Sequence, residues 1–147
     1  MTSLSSTRPS SSTPCSPMRD RNDLIALARE AAANAYAPYS KFRVGATVLS
    51  ADGLTYTGAN VENAAYPATS CAEATAIAHA VSSGVRKIDA VAVACIDATS
   101  VSDAYPCGRC RQIMSEFGVD EIHVTAGPGS KVQTHTMDEL LPHRFKF

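Results

Sequence analysis

Apolar and polar positions along the chain follow patterns that change from helical to strand-like spacing. Residues 19–36 place apolar side chains at helical intervals. They predict a helix that Asp20 or Asn22 could cap and that ends before Pro38. Residues 87–96, "KIDAVAVACI", form a continuous apolar run, which suits a strand that is covered on both faces.

The remaining elements are predicted by turn residues and glycines. Two short strands flank "ADG", a hairpin turn signal, and two helical stretches end at glycines. In chain order, these segments are strands at 42–50 and 55–63, helices at 70–84 and 107–118, strands at 119–126 and 131–136, and a helical turn at 137–142. The order α-β-β-α-β-α-β-β-α predicts an α/β fold with three layers, in which helices cover both faces of a mixed five-stranded sheet.

The first 18 residues differ from the rest because they are nearly all Ser, Thr and Pro. We expect residues 1–18 to form a disordered tail in which Cys15 is functionally silent, and residues 19–147 to form one domain. The tail lacks acidic residues, as organellar transit peptides do, but Arg8 is its only basic residue. A plain tail or an upstream start codon is therefore favoured, with Met18 as a possible natural start.

Composition and charge exclude several classes of function. The formal net charge of −1 gives no reason to expect nucleic-acid or membrane partners. No apolar run approaches the roughly 18 residues that a membrane span requires, and the N-terminus lacks the apolar core of a signal peptide. We therefore expect a cytoplasmic protein that acts on a small molecule.

Three of the five cysteines lie at predicted helix starts. An odd count with a C-x-x-C pair favours metal or redox chemistry over a disulfide framework. Helix N-termini stabilise thiolates, and the C-x-x-C spacing places Cys107 and Cys110 within one helical turn. In a β-α-β-α order both helices begin at the same edge of the sheet, so Cys71 can join the pair.

Glu73 lies two residues after Cys71, in the first turn of the same predicted helix. A catalytic zinc site needs three protein ligands and an open position for water, whose pKa zinc lowers to about 7. A neighbouring carboxylate can then carry protons. Together, three thiols and Glu73 predict a hydrolytic zinc site.

Other interpretations of these residues remain open from spacing alone. Cys107 and Cys110 could form a redox pair, but Cys71 would then have no role. Glu73 could belong to a capping box, S-x-x-E, with Ser70. A closed structural zinc site would need a fourth ligand, and the candidates, none at usual spacing, are His79, Cys95, His123 and His135. Cys95 is more typical of a core residue, and the histidines of surface or hydrogen-bonded polar groups.

The pattern C-A-E followed by P-C-x-x-C resembles the zinc deaminase signature. The commoner form has His where this chain has Cys71, and the three-cysteine variant is similar to the small cytidine deaminases. The resemblance extends from "AYAPYSKFRVGA" to "LLPHRF", which is nearly the whole predicted domain. It implies a cytidine deaminase-like fold with one zinc ion per subunit. It also implies deamination of cytidine and 2′-deoxycytidine for pyrimidine salvage, with Glu73 as proton shuttle.

The resemblance also implies a substrate site. The stretch "NVENAAYP" resembles the family segment whose Asn and Glu hold the ribose hydroxyls, which implies these roles for Asn60 and Glu62. Alternate positions on a strand do face one side, although without the resemblance an exposed strand end would be the simpler interpretation. Phe42 is implied to stack near the pyrimidine, although a lone Phe usually lies in a core. Backbone groups near Ala72 are implied to bind the base carbonyl.

Two aromatic residues imply an assembly. In the family, a C-terminal aromatic that aligns with Phe145 often comes from a neighbouring subunit, and the tyrosine at Tyr66 lies near a subunit contact. The resemblance thus implies a homotetramer whose subunits share active sites.

The sequence departs from the family pattern at two positions. Many members read C-A-E-R and P-C-G-A-C, whereas this chain has Ala74 and Arg109. Three thiolates leave Zn²⁺ with a net charge of −1, so our hypothesis is that Arg109 supplies the compensating charge. The stretch "PCGRCRQ" also resembles blasticidin-type deaminases, which leaves a cytosine-analogue substrate as an alternative. A non-catalytic zinc-binding module is a further alternative, and "NVENAAYP" favours ordinary nucleosides.

Overall fold

A computed structural model describes residues 19–147. The predicted tail, with Cys15, lies outside the described residues. Single 3₁₀ turns occur at Tyr66–Ala68 and Val101–Asp103. The main elements are α1 (Arg21–Ala32), β1 (Val44–Ser50), β2 (Thr55–Ala59), α2 (Ala72–Ser82), β3 (Ile88–Cys95), α3 (Gly108–Glu116), β4 (Glu121–Thr125), β5 (Gln133–Thr136) and α4 (Met137–Leu140).

The five strands form one mixed sheet in the order β2-β1-β3-β4-β5. Strand β1 is antiparallel to β2 and β3, β3 is parallel to β4, and β4 is antiparallel to β5. Strand β3 is central and almost entirely buried, which confirms the interpretation of its continuous apolar run.

Helices cover both faces of the sheet, so the predicted three-layer α/β fold is confirmed. Alternate residues of β3 separate the two faces: Ala90 and Ala92 pack with α1, while Val91 and Val93 lie in the larger cluster that contains α2 and α3. On each face of the sheet, the backbone of a helix packs closely against a glycine of a strand. A Cβ atom on Gly45 would overlap the Ala28 carbonyl oxygen of α1, and one on Gly58 would lie 2.5 Å from a backbone nitrogen of α2.

The helix ends follow the sequence signals. Asp20 caps α1 by accepting from the N–H of Asp23 at 2.9 Å. Gly84 and Gly118 follow α2 and α3 with φ of +106° and +69°, a conformation that glycine adopts without strain. Among the described residues, no helix is long and apolar enough to cross a membrane.

The topology brings two helix starts together. Strands β2 and β3 are both antiparallel to β1, so they run parallel and end at the same edge of the sheet. Helix α2 follows β2 and helix α3 follows β3. Their N-cap residues are Cys71 and Cys107, which places the predicted zinc ligands at one edge.

Candidate active site and metal centre

Three thiols converge at the edge of the sheet where α2 and α3 begin. The Sγ atoms of Cys71, Cys107 and Cys110 all lie within 4.8 Å of one another. Within residues 19–147, no fourth His, Cys, Asp or Glu side chain joins this group. Three soft sulfur ligands with a free fourth position suit zinc in a catalytic site, so this donor set fits the metal that the sequence predicts.

The other candidate ligands have different surroundings. Cys95 is buried in the core, as predicted. The His123 ring bonds to Thr134 at 2.9 Å, and the His135 ring bonds to Tyr105 at 2.7 Å. A closed structural zinc site with a fourth protein ligand is therefore not formed by the described residues.

The thiols influence one another's ionisation. Cys71 accepts a hydrogen bond from the Cys110 thiol, and this bond is the main reason why the pKa of Cys71 falls to about 6. The positive charge of Arg109 lowers the pKa of Cys71 further. The pKa of Cys110 is raised, chiefly because its proton is shared with Cys71. One thiol of the cluster is thus readily ionised near neutral pH, as a metal ligand must be.

Glu73 lies in the first turn of α2 and is only 5% exposed. Burial raises the pKa of its carboxyl group, while a hydrogen bond from Cys110 opposes that rise. A raised pKa makes this carboxyl group a better proton acceptor than an exposed carboxylate, and its position beside a metal-binding cluster suits a group that accepts and returns a proton.

The capping-box interpretation of Glu73 is wrong. The N-cap of α2 is Cys71, and it makes no side-chain cap bond. The Ser70 N–H instead donates to the Val61 carbonyl at 2.9 Å, and the Ser70 hydroxyl pairs with that of Thr75 at 2.8 Å. The Ser70 N–H, which Glu73 would accept from in a capping box, is therefore already bonded to another segment of the backbone.

A cavity of about 250 Å³ lies beside the thiols. Its lining includes the predicted residues Phe42, Asn60, Glu62, Cys71, Ala72, Glu73 and Cys107. A larger cavity of about 670 Å³ lies elsewhere, near the start of α1 and His123, and none of the three clustered thiols lines it. The chemistry-bearing side chains therefore identify the smaller cavity as the candidate site.

The amide of Asn60 holds the segment that carries Phe42. Its Oδ1 accepts from the Val44 N–H at 2.9 Å, and its Nδ2 donates to the Phe42 carbonyl at 2.8 Å. Asn60 is buried, whereas Phe42 is 41% exposed at the cavity. One N–H of the amide remains for a ligand, since an amide nitrogen has two donors.

Glu62 is held by one of its two oxygens. Its Oε1 accepts from the backbone N–H groups of Tyr39 at 3.0 Å and Ser40 at 3.1 Å. Hydrogen bonding to Ser40 is the main reason why the pKa of Glu62 is lowered. The second oxygen is free to accept from a hydroxyl group of a ligand.

Three predicted residues are not brought to this cavity. Tyr66 is 87% exposed and lines a neighbouring cavity of about 360 Å³ that also includes Glu62. Phe145 is 65% exposed and meets Phe147 edge to face, with the ring centroids 5.3 Å apart. Arg109 is exposed on α3 and is not among the lining residues.

Sequence reasoning missed several lining residues. Ser40, Thr69, Asp103 and Tyr105 also face the cavity. Ser40 lies inside "YSKF", and Tyr105 lies two positions before Cys107, so proximity to the motifs was the available signal. Tyr105 bonds to His135, which lies 30 positions further along the chain, and no sequence pattern links these two residues.

Comparison with known proteins agrees with this geometry. The sequence profile described as the cytidine and deoxycytidylate deaminase zinc-binding region matches residues 18–126. A protein of Sporosarcina psychrophila named cytidine deaminase is 46% identical over 128 residues, which cover 86% of this chain and 91% of that protein. One of the same name from Halalkalibacterium halodurans is 44% identical over 127 residues, covering 86% of this chain and 94% of that protein.

Solved structures are also similar. A crystal structure of cytidine deaminase from Burkholderia pseudomallei has a TM-score of 0.78 and 39% identity, covering 86% of this chain and 100% of that chain. The similarity therefore includes the whole of that chain and most of this one.

Proposed function

This chain belongs to the cytidine and deoxycytidylate deaminase family, and we propose that it hydrolyses cytidine and 2′-deoxycytidine to uridine and 2′-deoxyuridine with release of ammonia. The observation that carries this conclusion is a cluster of three thiols, two of which line one cavity together with a buried carboxyl group. The reaction is one of pyrimidine salvage.

Cys71, Cys107 and Cys110 would hold one zinc ion. Bound there, zinc supplies Lewis acidity, which makes water acidic enough to act as a nucleophile at neutral pH.

Glu73 moves the protons of the reaction. It accepts a proton from the attacking water as the new C–O bond forms at C4 of the base. Glu73 delivers this proton to N3. It then takes the second proton from the new hydroxyl group on C4, as the C4 carbonyl forms, and gives it to the exocyclic amine, which leaves as ammonia when the C–N bond breaks. The raised pKa of Glu73 supports this role, because the carboxyl group can hold the proton between the two transfers.

The remaining lining residues orient the nucleoside. Phe42 offers an aromatic face to the pyrimidine, and backbone groups near Ala72 lie where they could bind the base carbonyl. The free oxygen of Glu62 and the remaining N–H of Asn60 suit a pair of ribose hydroxyl groups.

The protein acts as a cytoplasmic homotetramer with shared active sites. The exposure of Tyr66 and Phe145 supports this assembly, since large aromatic side chains are enriched at interfaces. Four free cysteines among the described residues suit a reducing compartment.

The test is the loss of ultraviolet absorbance when cytidine is mixed with the purified, zinc-loaded protein. We expect Glu73→Gln to lower kcat by about 10²- to 10⁴-fold, the usual contribution of general acid–base catalysis, with zinc content unchanged. Glu30→Gln, which changes an exposed carboxylate on α1, is the matched control and should retain full activity.

Blasticidin S, in a parallel cuvette, separates the alternatives. Turnover of the antibiotic without cytidine turnover would keep the chemistry and change the substrate. Stoichiometric zinc with no turnover of either compound would indicate a non-catalytic zinc module and refute the proposal.

A further inference from the structure

We infer that Arg111, Tyr105 and His135 are positioning residues, which fasten the turn before Cys107 to the C-terminal elements β5 and α4. The inference rests on the proposed zinc chemistry of the site. The inference concerns how tightly the Cys107 thiol is held in place, and therefore how tightly the three-thiol cluster retains its metal.

The first two thiols are fixed by local structure. Cys71 follows a backbone bridge between Val61 and Ser70, and its carbonyl accepts a 2.9 Å hydrogen bond from the Thr75 hydroxyl. Cys110 lies inside α3 and is fully buried in the main core. Neither thiol can move without disturbing an element of the fold.

Cys107 is the most exposed of the three thiols. It is exposed and is the last residue of the long connection between β3 and α3. Pro106, which precedes it, has no N–H to contribute to a backbone hydrogen bond. The Cys107 carbonyl accepts from the Arg111 N–H at 3.0 Å, which joins it to α3. The turn that enters Cys107 is held in addition by contacts that side chains make with it.

Arg111 provides one such contact. Its Nε donates to the Pro106 carbonyl at 2.8 Å, and its guanidinium NH1 donates to the Leu140 carbonyl at 2.7 Å. The planar guanidinium group thus joins the peptide bond before Cys107 to the end of α4. Charge-assisted hydrogen bonds of this kind are stronger than neutral ones.

Tyr105 provides the second contact. Its hydroxyl group bonds to Nε2 of His135 on β5 at 2.7 Å, and the two ring centroids are 5.3 Å apart. The other ring nitrogen, Nδ1, lies 3.0 Å from Oε2 of Glu139 on α4. The His135 ring is therefore held at both nitrogens, so it is a fixed partner for Tyr105.

The C-terminal elements are a firm attachment point. Met137 and Leu140 of α4 are buried in the same core cluster as Cys110. Both contacts therefore attach the turn before Cys107 to the same core in which Cys110 is buried. Tyr105 also lines the cavity, so the same contact holds part of its wall.

The test measures the rate at which the zinc-loaded protein releases its metal to a coloured chelator. We expect Arg111→Gln and Tyr105→Phe each to release zinc about tenfold faster than the wild type, a typical effect of residues that orient ligands from outside the first coordination shell. Arg111→Lys, which cannot span both carbonyls with one planar group, should lie between Gln and the wild type.

The chain offers matched controls away from the site. Arg86 also donates to two backbone carbonyls, those of Val81 at 2.8 Å and Val85 at 2.9 Å. Tyr56 packs edge to face against His79, with ring centroids 5.3 Å apart. Arg86→Gln and Tyr56→Phe should release zinc at the wild-type rate, whatever they do to the melting temperature.

Cobalt substitution gives a second readout. The sulfur-to-cobalt charge-transfer bands should change in Arg111→Gln and Tyr105→Phe but not in the controls. Unchanged bands with wild-type zinc release in both variants would overturn the inference, as would equal acceleration in the controls. If the Arg111→Gln protein fails to fold, zinc release and the cobalt bands of Tyr105→Phe alone decide whether the inference holds. A wild type that binds zinc but leaves cytidine intact would refute the proposed function alone.

Discussion

At the scale of single residues, Arg109 lies between the two cysteines of the C-x-x-C pair, at the start of α3. Its positive charge already lowers the pKa of Cys71, although it does not line the cavity. This supports the hypothesis that Arg109 offsets the charge of three thiolates on one Zn²⁺.

We therefore expect Arg109→Ala to reduce zinc retention or kcat by about tenfold. Lys131→Ala removes an exposed positive charge of the same sign and should change neither. Zinc content after dialysis and initial rates with cytidine provide the measurement. Equal effects of the two substitutions would contradict the hypothesis.

Asn60 and Glu62 make backbone contacts that their spacing in the motif does not predict. Their spacing suggested a shared face, and both do line the cavity. Each also bonds to backbone groups of residues 39–44, which no spacing rule indicates. Their use for ribose hydroxyls is still a prediction, because much of their bonding capacity already holds the Phe42 segment.

At the scale of elements, helix α2 positions the buried carboxyl group of Glu73. Periodicity predicted the helix, and the shared edge of β2 and β3 brings its start to the start of α3. The detail at its N-terminus was not predictable, because Ser70 pairs with Val61 across a loop. A local capping signal was therefore overridden by a contact between separate segments.

Gly58 sets the distance between α2 and the sheet. A Cβ atom there would lie 2.5 Å from the Ala76 nitrogen, and backbone cannot yield independently of its helix. We expect Gly58→Ala to lower the free energy of unfolding by about 1–3 kcal/mol, the usual range for overpacking. It should also lower kcat of the folded fraction, because α2 carries Glu73.

Denaturant unfolding and initial rates measure these effects. Gly108→Ala is the control for stability, because nothing lies within 4 Å of its added Cβ. A Gly58→Ala protein as stable and as active as the wild type would show that α2 can shift without consequence.

At the scale of the whole molecule, one chain leaves Tyr66 and Phe145 away from its own cavity. If a neighbouring subunit supplies Phe145, two inactive variants can restore each other. We expect a mixture of Phe145→Ala and Glu73→Gln proteins, after subunit exchange, to exceed the activity of either alone. The restored sites would combine Glu73 of one subunit with Phe145 of another.

Light scattering of the same samples gives the assembly size. Phe147→Ala, which removes the ring packed against Phe145, is the matched control and should be active by itself. A monomeric wild type, or no recovery after proven exchange, would exclude shared sites.

The amino-acid sequence by itself determined the order of the elements, the mixed sheet and the grouping of three cysteines and Glu73 that we propose as the reactive site. These follow from periodicity, turn residues and motif spacing, which are local properties of the chain. Tertiary structure alone decided that the three thiols lie within 4.8 Å and that Glu73 is buried beside them. It also decided that Tyr105 meets His135. Those facts depend on contacts between distant segments, and neither a local pattern nor a propensity specifies which distant groups will meet.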